Sequence, residues 1–285
     1  MNRIVLLATG GGPVQTPPGA GLPGTSALLD LDGRSIVIDA GPGTVAALTR
    51  AGADLKRIDT ICITHLHGGH MLELGALAHA VWTAGRTAPL ALWGPPGIQP
   101  CWQGFLAAMA FDTALRSREM KRPLLADLVL VGHLRTGVVQ DGPVAIHALP
   151  VPHPPVEHAF ALRFNGTKSV TFSGDTASFP PLAAFARASD VLLHSACLPG
   201  HVEAMATGGP PDNPWARAKD AIELAQTSVG QAGRIAKMAK VRQLVLHHLI
   251  PGPGTTLAPL IWAERVKERW NGPLVVGHDG LEVPL

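Results

Sequence analysis

Short apolar runs, each closed by glycine, proline or an Asp-Gly pair, recur along the whole chain, and that pattern predicts strands joined by tight turns. Ile4 to Ala8 predicts one strand. Ser26 to Asp30 and Ser35 to Asp39 predict a hairpin closed at Asp32-Gly33. Gly10-Gly11-Gly12-Pro13 and Pro17-Pro18-Gly19 read as a loop. Gly41-Pro42-Gly43-Thr44 turns the chain into a helix from about Val45 to Ala51, and Ile61 to Ile63 predicts a buried strand. Met71 to Thr83 looks helical, Leu90 to Trp93 is another strand, and Ile98 to Arg118 returns to helical spacing.

The second half repeats the style. Val129 to Val131, Val144 to Leu149, Ala159 to Phe164, Ser169 to Ser173, Val191 to Leu193 and Gln243 to His247 predict strands. Ala218 to Ala225, Ser228 to Ala239 and Leu260 to Trp270 predict helices, and Leu274 to Val276 a last strand. Two successive sets of strands and helices predict an α/β protein: a four-layer αββα sandwich, with helices outside two packed sheets. No boundary interrupts residues 1–285, so a single domain is expected.

Composition narrows the class. At 285 residues and 46% hydrophobic, the chain can bury a large core. Its 23 Lys+Arg against 21 Asp+Glu leave a net charge of only +2, which argues against a dedicated nucleic-acid binder. Cys62, Cys101 and Cys197 form no C-x-x-C pair, so a reducing compartment is expected, with Cys62 a core residue. The N-terminal apolar run is too short for a secretory signal, and no stretch approaches a membrane span, so a cytoplasmic protein is expected.

Thr64-His65-Leu66-His67-Gly68-Gly69-His70 carries the densest chemistry. His65 and His67, two apart on an extended chain, point to one side, and His70 follows from the start of the next helix. Three converging imidazoles suit a metal, zinc best. His153, Asp175 and His248 each end or follow an apolar strand, where sheet proteins commonly build sites.

These stretches, with Leu6 to Pro13, Ile38 to Gly43, Trp93 to Gly97, His153-Pro154-Pro155, Ser173 to Thr176 and Leu244 to Pro251, resemble the metallo-β-lactamase-fold hydrolases, closest to the ribonuclease Z and arylsulfatase-like branch. The resemblance implies that His65, His67 and His153 hold a first zinc, that His70 and His248 hold a second, and that Asp175 bridges them. It implies hydrolysis of an ester, amide, phosphoryl or sulfuryl centre by metal-activated water. It also implies a homodimer, since members of the branch are often dimers.

The chain departs from that pattern at defined places. The family motif is H-x-H-x-D-H, and its aspartate position is Gly69 here. One zinc firmly bound and a weaker second are therefore expected, with Glu73, a helical turn after His70, a candidate substitute carboxylate. Gln226 stands where relatives often carry histidine, and His194-Ser195-Ala196 where they often carry His-Glu-Ala. Gln226 can hydrogen-bond a substrate oxygen but cannot move a proton. Phe164 to Ser169 is a plain turn where bacterial ribonuclease Z-like enzymes insert a tRNA-binding arm. Trp82, Trp93, Trp102, Phe105, Met109 and Phe111 are expected to wall an apolar pocket. Together these imply a zinc-dependent hydrolase of a small, partly apolar molecule of ester, lactone, sulfate or phosphate type, with no nucleic-acid or membrane partner. The alternatives are a lyase or cyclisation enzyme on the same fold, and a non-catalytic binding protein.

Overall fold

The computed structural model describes residues 2–11, 24–208, 213–252 and 259–285. The predicted turn residues Gly12, Pro13, Pro17, Pro18 and Gly19 lie outside them. The strands are β1 (Arg3–Thr9), β2 (Thr25–Leu31), β3 (Arg34–Ile38), β4 (Thr60–Cys62), β5 (Leu90–Gly94), β6 (Val129–His133), β7 (Gly137–Gln140), β8 (Ala145–Pro150), β9 (Phe160–Asn165), β10 (Ser169–Phe172), β11 (Val191–Cys197), β12 (Gln243–Ile250), β13 (Leu274–Val276) and β14 (Glu282–Pro284). They form two seven-stranded sheets, ordered β14-β1-β2-β3-β4-β5-β6 and β13-β12-β11-β10-β9-β8-β7.

The period-2 alternation of a strand decides which side each residue faces. Ile4 and Leu6 of β1 enter a core shared with Phe164, Phe172 and Val245 of the second sheet. Val5 and Leu7, on the opposite face, pack with the helices Thr44–Arg50, Leu74–Thr83 and Ile98–Ala108 through Leu48, Leu77, Trp82 and Trp102. Leu192, Leu244 and Leu246 do the same for the second sheet, against Leu182, Ile235, Trp262 and Val266 of the helices Pro181–Phe185, Val229–Ala239 and Pro259–Lys267. The core between the sheets and the one outside each sheet make four layers, as the pattern predicts, and a smaller cluster of Cys197, Val202, Ala218, Ile222 and Ile250 adds to them.

The hairpin closes at Asp32 (φ 49°) and Gly33 (φ 83°), the left-handed pair that a two-residue turn needs to match strand twist. Asp32 then reaches across to the second sheet. Its carboxylate accepts the Thr167 amide at 2.6 Å and the Asn2 side-chain amide at 3.0 Å. Thr167 sits in the short turn between β9 and β10, so the tips of both sheets are tied at this end.

Two helical predictions divide. The Ile98 to Arg118 segment breaks at Met109 into Ile98–Ala108 and Ala110–Met120. The Met71 to Thr83 segment becomes a short turn, Gly68–Met71, followed by Leu74–Thr83. Strands β7 and β14 and the helices Leu125–Leu128, Pro181–Phe185 and Pro199–Thr207 are too short or too mixed to carry a periodic signal. Strands β3 to β6 run parallel, as do β10 to β13, so the loops after their carboxyl ends gather on one side. Among the described residues no helix is long and apolar enough to cross a membrane.

Candidate metal centre

The loop after β4 delivers His65, His67 and His70. Asp39, directly after β3, organises it. The Asp39 carboxylate accepts the Thr64 amide at 2.7 Å, the Thr64 hydroxyl at 3.0 Å and Nδ1 of His70 at 2.8 Å. Having donated its only proton to Asp39, the Thr64 hydroxyl can only accept from Nδ1 of His65, 3.2 Å away. The second sheet supplies the rest. His153 follows β8 and gives its Nδ1 proton to the Ala225 carbonyl at 3.0 Å. Asp175 follows β10 after Gly174 (φ +60°), where a Cβ would stand 2.4 Å from the Phe160 carbonyl, so the turn requires glycine.

His248 is aimed by a bulge. In the β11–β12 register, Ser195 opposes His247 and Ala196 opposes Leu249, so His248 is the extra residue, at φ 48°. Regular pairing would alternate His247 and His248 across the sheet; the bulge redirects His248 to the site.

The commitments at Nδ1 leave bare lone pairs on Nε2 of His65 and His153, and turn Nε2 of His70 into the same space, where a cation would displace its proton. Nε2 of His65 lies 3.0 Å from Nδ1 of His67, and Nε2 of His153 lies 3.3 Å from the same atom. Nε2 of His70 lies 3.2 Å from Nε2 of His248. Oδ2 of Asp175 stands 3.2 Å from His248, 3.5 Å from His70 and 3.7 Å from His153, between the two groups. Tetrahedral zinc with ligands at about 2.0–2.1 Å sets neighbouring ligand atoms about 3.3–3.4 Å apart, so this donor set fits such an ion.

The electrostatics agree. Burial, reinforced by His70, holds His65 well below its ordinary value. Burial also lowers His248, to about 4, although Asp175 opposes it. Burial would lower His70 too, but the carboxylates of Asp175 and Asp39 outweigh it and lift the ring to about 10. Burial alone would raise Asp175, yet His248, His70 and His65 hold it well below the carboxylate range. Lone pairs packed around a buried carboxylate make a strong attractor for a cation.

A cavity of about 380 Å3 opens onto these atoms, lined by Gly10, His67, Gly68, Gly69, His70, His153, Pro154, Pro155, Asp175, Ala221, Ile222, Ala225, Gln226, His248 and Ile250. Gly69 borders it, and a Cβ there would meet nothing within 4 Å. Gln226 donates its amide to Oδ2 of Asp175 at 2.8 Å, so it holds the carboxylate rather than presenting that proton to a ligand.

Two expectations are overturned. Glu73 is no substitute ligand: its carboxylate accepts the amides of Gly43 at 2.7 Å and Val45 at 3.0 Å, capping the helix Thr44–Arg50. The aromatic wall is elsewhere. Trp82 is wholly buried under the first sheet, Trp93 packs against the inter-sheet core, Trp102 stacks on Phe105 in a separate small pocket, and Phe111 is 82% exposed. Aromatics at helical spacing had several helix faces to choose from, and they took packing positions. Met109 is the break between two helices and does not line the cavity. His194 is buried, its Nδ1 bonded to the Ser195 carbonyl, and it too is absent from the lining.

Sequence reasoning passed over Asp39 as a working residue, although it ends a strand before Gly41-Pro42-Gly43 just as Asp175 ends one beside a glycine. The profile of the family described as "Anti-Pycsar protein Apyc1" matches residues 21–207. The ribonuclease Z of Mycobacterium sp. (strain KMS) is 30% identical over 285 residues, covering 98% of this chain and 94% of that protein. The chain belongs to the Apyc1 family, in the ribonuclease Z-like branch of the metallo-β-lactamase-fold hydrolases.

The fold of this metallo-β-lactamase-fold hydrolase is shared with YhfI from Bacillus subtilis, at a TM-score of 0.72 and 17% identity over 99% of both chains. It is shared also with the short form of human tRNase Z, at a TM-score of 0.66 and 18% identity over 99% of this chain and 98% of that one. The protein is a metal-dependent hydrolase, and its His/Asp clusters suit a divalent ion.

Proposed function

We propose that this hydrolase uses zinc to cleave a phosphate ester in a small, partly apolar molecule. The observation that carries the proposal is the cavity of about 380 Å3, whose floor is His67, His70, His153, Asp175 and His248, with His65 buried beside them. Its walls are Ala221, Ile222, Ala225, Ile250, Pro154 and Pro155, which suit an apolar group on the substrate. Carboxylic esters, lactones and sulfates are chemically open to such a centre, and the ribonuclease Z name of the curated relatives favours the phosphate.

In this reading His65, His67 and His153 hold zinc firmly. His70, His248 and Asp175 would hold a second ion more weakly, because Gly69 adds no carboxylate. The ions supply a Lewis acid that acidifies water and polarises the substrate oxygen. The chain's own residues orient that chemistry: Asp39 fixes His70, the Ala225 carbonyl fixes His153, and Gln226 fixes Asp175. The turn at Gly166 is short, and we extend the proposal to a cytoplasmic, single-domain enzyme that does not process tRNA.

Gly69→Asp tests it. Purified protein should hold about one to two zinc ions per chain, with one easily chelated. Restoring the carboxylate should retain the second ion and raise hydrolysis of a phosphodiester such as bis(p-nitrophenyl) phosphate. Protein that holds no zinc and gains no activity on adding it would sink the reading. The open space at Gly69 also supports a second reading, in which the glycine leaves room for a lyase or cyclisation step. In that case the aspartate would abolish the native reaction and hydrolysis would stay negligible.

A further inference from the structure

A second concavity, of about 1050 Å3, lies over the outer helices of the second sheet and shares no residue with the metal cavity. The helices Val229–Ala239 and Pro259–Lys267 run side by side beneath it. Glycines let them approach closely: a Cβ on Gly233 would lie 3.2 Å from the Val266 carbonyl and 3.6 Å from Cβ of Arg269. That approach brings two cation pairs together, Arg234 with Lys237 on one helix and Arg265 with Arg269 on and just beyond the other. Among the described residues the only carboxylate lining the groove is Glu268, which pairs with Arg265 at 2.9 Å.

Four cations and one carboxylate leave the groove at +3, against +2 for the whole chain, so the balanced composition hides a local excess. Like charges at helical i,i+3 and i,i+4 spacing repel, and bringing two such pairs together compounds the repulsion. A multivalent anion relieves it.

We infer that this groove binds a short chain of phosphates, free or as the tail of a nucleotide. Three of the four cations are arginines, whose planar forks match phosphate oxygens in pairs. The backbone positions that carry the cations lie about 6 Å apart along each helix, on helix axes about 8–10 Å apart. That is a footprint of a few phosphates rather than the run of contacts a nucleic-acid tract makes. Among the described residues no Phe, Tyr or Trp lines the groove and His201 is the one ring there, so recognition rests mainly on the phosphates.

Calorimetric titration of the metal-loaded protein with inorganic tripolyphosphate, ATP and orthophosphate tests the inference, with zinc content measured before and after. Tripolyphosphate should bind at least about tenfold tighter than orthophosphate and weaken as salt screens the groove. The double variant Arg234→Glu, Arg269→Glu should lose at least about tenfold in affinity while keeping its zinc and its rate on a neutral ester. Equal affinity for ATP assigns the site to a free phosphate chain, and clearly tighter ATP to a nucleotide; both support it. Undiminished binding in the double variant would place the anion on the metal centre and overturn the inference. So would binding of a short duplex without binding of tripolyphosphate.

Discussion

Replacing Glu73 by alanine separates a metal ligand from a helix cap. The helix Thr44–Arg50 has Gly43 at its N-cap and no side-chain cap of its own. Its amides at Gly43 and Val45 are satisfied by Glu73, some thirty residues along the chain. Each hydrogen bond to the charged carboxylate contributes about 1 kcal/mol or more net, and the negative charge at a helix N-terminus adds about 0.5 kcal/mol. Water can reach a half-buried site and recover part of this, so Glu73→Ala should cost about 2 kcal/mol. For 285 residues the entropy of unfolding is about 0.6 kcal/mol per kelvin, so the melting temperature should fall by about 3 °C. Glu73→Gln keeps an acceptor and loses the charge, and should fall between. Urea unfolding followed by circular dichroism gives the stability, and elemental analysis gives the metal content, which should not change. A variant of unchanged stability that has lost zinc would refute the cap and restore Glu73 as a ligand.

Asp39→Asn should keep the fold yet weaken retention of the more labile ion about tenfold, read by competition with a chromogenic chelator. Ala221 is exposed at the cavity wall, so Ala221→Trp should raise KM for bulky substrates with metal content intact. His194 is held down to about 4 by burial, although the Ser195 carbonyl opposes this. The unfolded chain, titrating near 6.5, therefore binds more protons between those values. The stability His194 contributes is complete above about pH 6.5 and drains as pH falls toward 4, with about 2 kcal/mol gone by pH 5. Between pH 7.5 and 5 the parent protein should thus lose about 2 kcal/mol more than His194→Leu in urea unfolding, and equal losses would contradict it.

The sandwich and the clustered side chains were legible because they rest on local rules. Alternation marks a strand's two faces, and a polar residue at the end of an apolar run marks a strand terminus. His65, His67, His70, His153 and Asp175 follow strand ends as those rules expect and lie within reach of one another, whereas His248 lies inside β12, which runs on to Ile250. Long-range partners were not legible. Glu73 meets the amide of Gly43, and Gln226 meets Asp175, only because separate loops converge, and no periodicity records that. The aromatic residues misled for a related reason: Trp82 and Trp102 are apolar enough for a binding wall or a core, and sequence does not say which surface a helix turns inward. The aim of His248 depends on a bulge, which needs the register of two strands to be seen.

The tie at Asp32 has a mechanical meaning for the metal centre. Chain direction puts the turns after β2 and β9 at one end of the sandwich and the loops after β4, β8 and β10 at the other. The two sheets are thus bound like a book at a spine of Asp32, Asn2 and Thr167, while at the opposite edge, where His65, His153 and Asp175 meet, the Phe160 amide bonds the Thr64 carbonyl and the Gly11 amide bonds the Leu249 carbonyl. An ion gripped by side chains of both sheets is the clasp on that edge. Stripping it should free the leaves to breathe, so amides beside the centre should exchange with solvent long before those beside the spine.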